Sequence, residues 1–571
     1  MAHIRQRVSE TDPTQTMPAR EEDTKPADGT VAVSRLPASL APFRYPMFRA
    51  IWFATLASNL GVWIQSVGAA WLMTTISDSA AMVALVQSAT AMPVLMFSLF
   101  GGALADLWDR RLVFLIGQII VLSGATLIAV MEGVGAVTPW LLLALVFVLD
   151  SGSALRQPAY QASVGDLVPR SELPTAVALN SIGFNIARSV GPAIGGLVVA
   201  SLGVQASFIL NAVSNVFIIG VLLMWRPKPQ GDELPREGLL PAMVSGLRYV
   251  GGSPTIMTVM LRCFVFTGLA GAVWALLPLV ARQDMGGGPF TYGVLLGSLG
   301  IGAILGALNI GTLRRRTSGQ LLVAIGTTAF AAATLLVGLF PSLYVVVPAL
   351  VLGGAAWMTT LSSFNVMVQL SAANWVKARV LSIYQMSLFG GLALGSWGWG
   401  HAAETIGTGK ALILSGVGLA LSMVLALRFR LPANIAPDLS PIVAIPRPTL
   451  APGVDAGPGS VAVTVEYEVD PADAPAFSGA MRSLRRLRKR DGAVRWTLYQ
   501  DAANPRRWVE AFLLKSWLDD LRHQRRATMA DQETLQLVRA FHRGAAEPRV
   551  SHLLARGTPR MGWPPGVDAE H

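Results

Sequence analysis

One cysteine and six histidines in 571 residues leave little material for covalent staples or metal centres. Cys263 stands alone inside an apolar run, so neither an internal disulfide nor a thiolate metal site can form. Charge is scarce as well: Asp, Glu, Lys and Arg make up 14% of the chain, where a soluble domain has roughly 25%. That deficit excludes an ordinary soluble enzyme. The only stretch resembling a phosphate-binding loop, Gly407-Thr-Gly409-Lys410, has Glu404 where the loop needs Gly and Ala411 where it needs Ser or Thr, so hydrolysis of a nucleotide is not expected. His401 and Glu404 are two lone polar groups at a helix end, short of a metal ligand set. No cofactor is expected. Residues 1–45 contain no apolar run of signal-peptide length and are expected to form a disordered, uncleaved cytosolic arm. The net charge of +11 does not point to nucleic acid, because most of the chain is apolar and positive charge there encodes orientation.

What is abundant is apolar sequence, 52% of the residues. The charges are segregated: residues 49–430 hold 20 Lys/Arg and 12 Asp/Glu, and residues 461–571 hold 18 and 14. One part is made for lipid and the other for water. Twelve apolar runs are long enough to cross about 30 Å of hydrocarbon as helices, starting near Arg49, Ala80, Leu112, Trp140, Thr175, Val204, Thr255, Tyr292, Gly319, Ser342, Val380 and Lys410. Loops on one side hold twelve Lys/Arg and those on the other only Arg282 and Lys410, which by the positive-inside rule places both termini in the cytoplasm. Gly102-Ala-Leu-Ala-Asp-Leu-Trp-Asp-Arg110-Arg111 is echoed about 205 residues later by Gly306-Ala-Leu-Asn-Ile-Gly-Thr-Leu-Arg314-Arg315, the mark of a parallel repeat. The expected organisation is an all-α polytopic membrane protein of twelve transmembrane helices in two six-helix repeats. Its parts are an arm (1–45), a first bundle (46–225), a cytoplasmic central loop (226–254), a second bundle (255–430), a Pro/Gly-rich linker (431–460), a small α+β domain (461–556) and a disordered tail end (557–571).

Ionisable groups inside a bilayer cost several kcal/mol unless paired or hydrated, so each is a functional candidate. Asp150 and Arg188 fall near the midplane, on the fourth and fifth runs. Sequence adjacency makes an ion pair between them feasible, either as a static lock or as a pair that loosens on protonation or on arrival of an anionic substrate. Arg156 and Arg262 lie closer to the cytoplasmic ends, where snorkelling is an alternative. Asn59, Gln65 and Gln385 either bond neighbouring helices or face a cavity, and Trp274 either packs or stacks an aromatic substrate. Gly191-Pro192 followed by Gly195-Gly196 predicts a kinked, closely packing fifth helix.

With these residues the chain resembles the major facilitator superfamily. Gly102-x-Leu-Ala-Asp106-x-x-Asp109-Arg110-Arg111 is similar to its loop between helices two and three, and Gly191-Pro192-Ala-Ile-Gly195-Gly196 to the fifth-helix motif of its antiporters. Asp166-Leu-Val-Pro-Arg170-x-Glu172-Leu, Asn185-Ile-Ala-Arg188 and Ala275-Leu-Leu-Pro-Leu-Val-Ala-Arg282 resemble the transmembrane secretion effector branch that includes siderophore exporters. The resemblance implies a proton-coupled antiporter of small organic molecules working by alternating access in the bacterial inner membrane. It implies a conformational latch of Gly102, Asp106, Arg110, Arg111 and Arg156. Asp109 stands where the superfamily usually has Gly, and Ile310 replaces the acid of the second copy, so the latch is expected in the first half only.

Seven prolines and three glycines in residues 431–460 predict a semi-extended linker. Beyond it, strand 461–469, helix 473–490, strands 494–500 and 507–514, helix 518–541 and strand 549–555 follow the ferredoxin-like order. Trp517 and His523 resemble small antibiotic-biosynthesis-monooxygenase-like domains that pair into barrels, which implies homodimerisation. Trp496, Trp517 and His523 would then line a pocket, or His523 would sit on the helix surface. A membrane-tethered enzyme or a ligand sensor is the alternative to transport. The basic run from Arg482 to Arg490 suits anionic lipid or plain solvation, and a tail on a thirty-residue tether is expected to be dispensable for translocation.

Overall fold

A computed structural model describes residues 37–107, 109–169, 171–226, 239–373, 375–424, 428–431, 438–440, 442, 450–457 and 459–556. Every expected apolar run is helical. Before the central loop lie α1 (Pro46–Ile76), α2 (Ala80–Leu107), α3 (Arg110–Gly133), α4 (Pro139–Leu167), α5 (Leu173–Leu202) and α6 (Val204–Met224). Beyond it, α7 (Leu239–Gly251) is followed by α8 (Pro254–Leu279), which a π turn extends to Asp284. The series ends with α9 (Pro289–Arg316), α10 (Gly319–Leu339), α11 (Leu343–Ser371), α12 (Lys377–Ile406) and α13 (Thr408–Ser422). Prolines open α1, α4, α8 and α9, where the missing N–H would have had no helical partner. Among the described residues ten helices are long and apolar enough to cross a membrane, namely α1 to α6 and α8 to α11. The polar ends and glycines of α12 and the 15-residue length of α13 leave these two outside that set.

Two expectations about connecting segments need correction. The arm is ordered from Ala38, where a 3-10 turn lays Phe43 against Phe48, Trp52 and Phe53 of α1; residues 1–36 lie outside the described residues. The central loop contains α7, amphipathic and thirteen residues long, packed against α2 and α12.

The internal repeat is visible in the backbone. Gly203 joins α5 to α6 with φ 85° and ψ 168°, and Gly407 joins α12 to α13 with φ 88° and ψ 155°. A left-handed residue is needed to turn directly from one helix into the next, and glycine takes it without a Cβ penalty. The halves meet along α2 with α12 and α5 with α9. At the second contact Gly196 faces Gly293 so closely that a Cβ on either would come within 2.6 Å of the other's Cα. The end of the bundle away from the tail is closed. There Arg282 donates to the Thr74 carbonyl, the Ser79 hydroxyl to Glu404 at 2.6 Å, and Trp71 stacks on Tyr292 with centroids 6.5 Å apart.

The tail is a four-stranded antiparallel sheet of order β2-β3-β1-β4, built from β1 (Val461–Glu468), β2 (Arg495–Gln500), β3 (Arg507–Leu514) and β4 (Arg549–Leu554). Helices α14 (Ala474–Asp491), α15 (Trp517–Arg526) and α16 (Met529–Arg539) cover one face, over Val461, Val463, Val465 and Tyr467. The expected single second helix is broken at Ala527, because Thr528 and Asp531 form a capping box that starts α16 afresh. The other sheet face presents Val509 and Leu513 with the exposed Tyr499 and Leu553.

The tail is not free on its tether. Arg526 lies 4.3 Å over the Trp375 ring between α11 and α12, Arg490 lies 5.3 Å over Tyr249 of α7, and Arg248 donates to the Gly492 carbonyl at 3.3 Å. No charge pattern in the sequence ties the tail to one loop, but two aromatic rings on the bundle offer their negative faces to arginines that the tail holds in place.

Candidate functional site

The site residues expected from sequence separate into four environments. The first is a crevice between the halves, lined by Trp63 of α1, Arg188 and Pro192 of α5, Trp274 of α8, Leu296, Leu299 and Gly300 of α9, and Trp357 of α11. Trp63, Arg188 and Trp357 lie near the middle of their helices. Among the described residues Arg188 has no hydrogen-bond or carboxylate partner. The buried indole N–H groups of Trp274 and Trp357 likewise lack acceptors, and their rings stand 5.6 Å apart. Donors outnumber acceptors here, in a setting of aromatic faces. The free space is small in this conformation, and the groups lining it are of the kind that meet aromatic faces and anionic or acceptor-rich groups.

The second environment holds Asp150, and the expected Asp150 to Arg188 pair is not there. Among the described residues Asp150 forms no direct ion pair; the Thr90 hydroxyl and, through space, the Arg156 guanidinium are the groups whose charge or polarity it feels. The reason is packing: α4 lies on α2 and α3, whereas α5 lies on α1 and α9, so helices adjacent in sequence face different neighbours. Arg156, 4% exposed, donates to Asn59 at 3.2 Å. Tyr160 donates to Asn180 at 2.8 Å. A polar ladder of Thr90, Asp150, Arg156 and Asn59 therefore runs inside the first bundle. Sequence reasoning missed Trp63, Thr90 and Tyr160; a mid-span aromatic or hydroxyl is too common in apolar helices to stand out.

Third, Gln65 belongs to a packing cluster and not to the crevice. It accepts from Asn211 of α6 at 2.5 Å, and Asn215 is joined in turn to Asn211 and Ser58. Gln385 of α12 is half-buried and absent from the crevice lining. Gly191, Gly195 and Gly196 serve close approach: a Cβ on Gly191 would meet Trp63 at 2.5 Å, and one on Gly195 the Ile64 backbone at 3.0 Å. Pro192 sits in unbroken helix and lines the crevice.

Fourth is the latch. Gly102 and Asp106 lie in the last turns of α2, outside the residues whose side chains are described. Arg110 pairs with Asp166 at the end of α4, at 3.2 Å. Arg111 instead closes the end of α6, donating to the Leu222 and Leu223 carbonyls at 2.9 and 2.8 Å. Arg156, the remaining member, donates to Asn59, and its expected partner Asp106 lies outside the residues whose side chains are described. In the second half Arg314 donates to the Ser362 carbonyl at 2.8 Å in place of a carboxylate.

In the tail, Glu510 is fully buried and accepts from Trp496 at 2.8 Å and from Arg488 at 3.1 Å. His523 is buried against Phe512, which corrects the reading of a surface residue; burial first, and then Arg488, push its imidazole down to about 3. Arg488 and Arg490 turn inward, while Arg482, Arg485, Arg486 and Lys489 remain exposed.

The transmembrane secretion effector family model matches residues 37–559. The chain belongs to the transmembrane secretion effector family. Among curated members of its kin, the multidrug efflux pump Tap of Mycobacterium tuberculosis is 26% identical over 412 residues, covering 70% of this chain and 96% of Tap. The enterobactin exporter EntS of Escherichia coli O1:K1 is 27% identical over 398 residues, covering 68% of this chain and 94% of EntS. The fold is that of a bacterial homolog of the human lysosomal transporter Spinster (TM-score 0.54, 16% identity, 67% of this chain and 96% of that one). It is also that of a POT family transporter (TM-score 0.54, 14% identity, 67% and 96%). This transmembrane secretion effector is a multi-pass transporter and not an enzyme.

Proposed function

We propose that the protein exports small organic molecules, of the siderophore or drug kind, by alternating access in a bacterial inner membrane, and that protons drive it. The observation that carries the reading is the crevice in which an unpartnered Arg188 stands among Trp63, Trp274 and Trp357, with lining from both halves. Rocking the halves about the Gly196 and Gly293 contact would expose such a site alternately to either side. Relatives named as a multidrug efflux pump and an enterobactin exporter support the class of cargo. In this reading α12 and α13 also span, which makes twelve helices as six and six, with both termini in the cytoplasm as the basic loops favour. The tail has the ferredoxin-like order, and its open sheet face around Tyr499 and Leu553 suits pairing with a second copy.

Proton coupling falls to Asp150, whose carboxyl lies in the field of Arg156. Protonation would remove the negative field at Arg156 and change how Asp150 meets Thr90 across the α2 to α4 contact, while Arg188 is left to the substrate. The test uses everted vesicles with a panel of aromatic and catecholate anions and cationic drugs. Asp150→Asn should abolish pH-driven uptake and retain exchange, whereas Arg188→Ala should lose both. Unaltered pH dependence in Asp150→Asn would remove Asp150 from the coupling path.

A further inference from the structure

A second arginine inside the bundle has no role in that cycle. Arg262 of α8 is 6% exposed, and among the described residues it has no carboxylate or hydrogen-bond partner; its terminal nitrogen NH1 is buried and unsatisfied. It opens onto a crevice lined by Val323 and Thr327 of α10, Phe364 of α11 and Ser422 at the end of α13. Arg262 and Thr327 each lie eight residues from the tail-side start of their helices, ~12 Å along the axis. An arginine on a helix reaches back toward its N-terminus, so the Arg262 guanidinium lies nearer the tail-side headgroups than its own Cα does. The flanking Leu321, Ile325, Leu421 and Val424 are exposed apolar side chains of a lipid-facing surface.

A guanidinium held in hydrocarbon without a counter-charge costs several kcal/mol. Arg262 is 6% exposed, and among the described residues no acid on a facing helix is paired with it. A compensating anion from outside the chain would satisfy it. We propose that the crevice between α8, α10 and α13 binds the phosphate of one anionic phospholipid from the tail-side leaflet, with Arg262 as the cation and the Thr327 and Ser422 hydroxyls as further polar groups. Guanidinium to phosphate is a charge-assisted, two-point contact. The leaflet is cytoplasmic on the orientation proposed above, but the site does not depend on the direction of transport.

Native mass spectrometry of the full chain extracted from vesicles with equal phosphatidylcholine and phosphatidylglycerol tests this. The wild type should retain one phosphatidylglycerol more than Arg262→Gln, with occupancy falling at least fivefold, and Arg262→Lys should restore most of it. Equal retention in wild type and Arg262→Gln overturns the proposal, as does loss in Arg262→Lys alongside unchanged loading by phosphatidylcholine. If millimolar inorganic phosphate raises the melting temperature of delipidated wild type as much as phosphatidylglycerol does, with no such rise in Arg262→Gln, the site takes free anions and the lipid assignment fails.

Discussion

Arg490 of the tail lies over the ring of Tyr249 in α7 while its guanidinium also grips Asp491 and Asp531, both at 2.8 Å. Tyr249 in turn donates to the Ser371 carbonyl and accepts from the Ala373 amide, at the junction of α11 and α12. One phenol thus ties the central helix, the second half and the tail together.

Docking of the tail should therefore be breakable from the bundle side. Trp375→Ala removes the ring under Arg526 without touching the tail's own ion pairs, at a cost of about 1–2 kcal/mol. The expected outcome is roughly tenfold faster proteolytic cutting within residues 432–449, with the tail itself intact. Cutting at the wild-type rate would mean that the rings do not hold it.

The tail's stability should fall in acid. The imidazole of His523, lowered to about 3 by burial, stays neutral in the folded tail, whereas an unfolded histidine titrates near 6.5. The unfolded state binds the extra proton, so stability is fully present above about 6.5 and is lost as pH falls toward 3. Denaturation of residues 461–556 followed across that range should show this limb, and His523→Leu should flatten it.

Asp150 should couple energetically to Arg156 and not to Arg188. Loss of the Asp150 charge removes the negative field that offsets the buried Arg156 guanidinium. Asp150→Asn should lower the melting temperature, and Asp150→Asn with Arg156→Gln should recover part of it. A double-mutant cycle of Asp150 with Arg188 should be additive within about 0.5 kcal/mol.

Gly196→Val should open the far side. Its side chain cannot fit against Gly293, where even a Cβ would come within 2.6 Å of the facing Cα. In a background with Cys263 replaced by alanine, a cysteine at Leu296 of the crevice should react faster with an impermeant thiol reagent added from that side. An unchanged rate would place the hinge elsewhere.

Much of this architecture was legible in the chain. Apolar runs set the helices, because hydrocarbon tolerates no unbonded backbone. The strand and helix order of the tail followed from its alternation, although Thr528 and Asp531 broke a helix that the apolar period would have carried through. The glycines at 191, 195 and 196 announced close packing, and Gly196 opposite Gly293 is where that packing joins the halves.

What the sequence determined by itself is local: which segments are helices, where charge is absent, and that the chain repeats about 205 residues on, as Gly203 and Gly407 show in the same left-handed turn. Only the tertiary structure decided who meets whom. Asp150 is set toward Thr90 because α4 packs on α2, and Arg188 is left for the crevice because α5 packs on α1 and α9. Helices next to each other in sequence need not present their polar groups to each other. In a bundle each helix has several neighbours, and the rotation that buries its small residues against one of them fixes where its charges point.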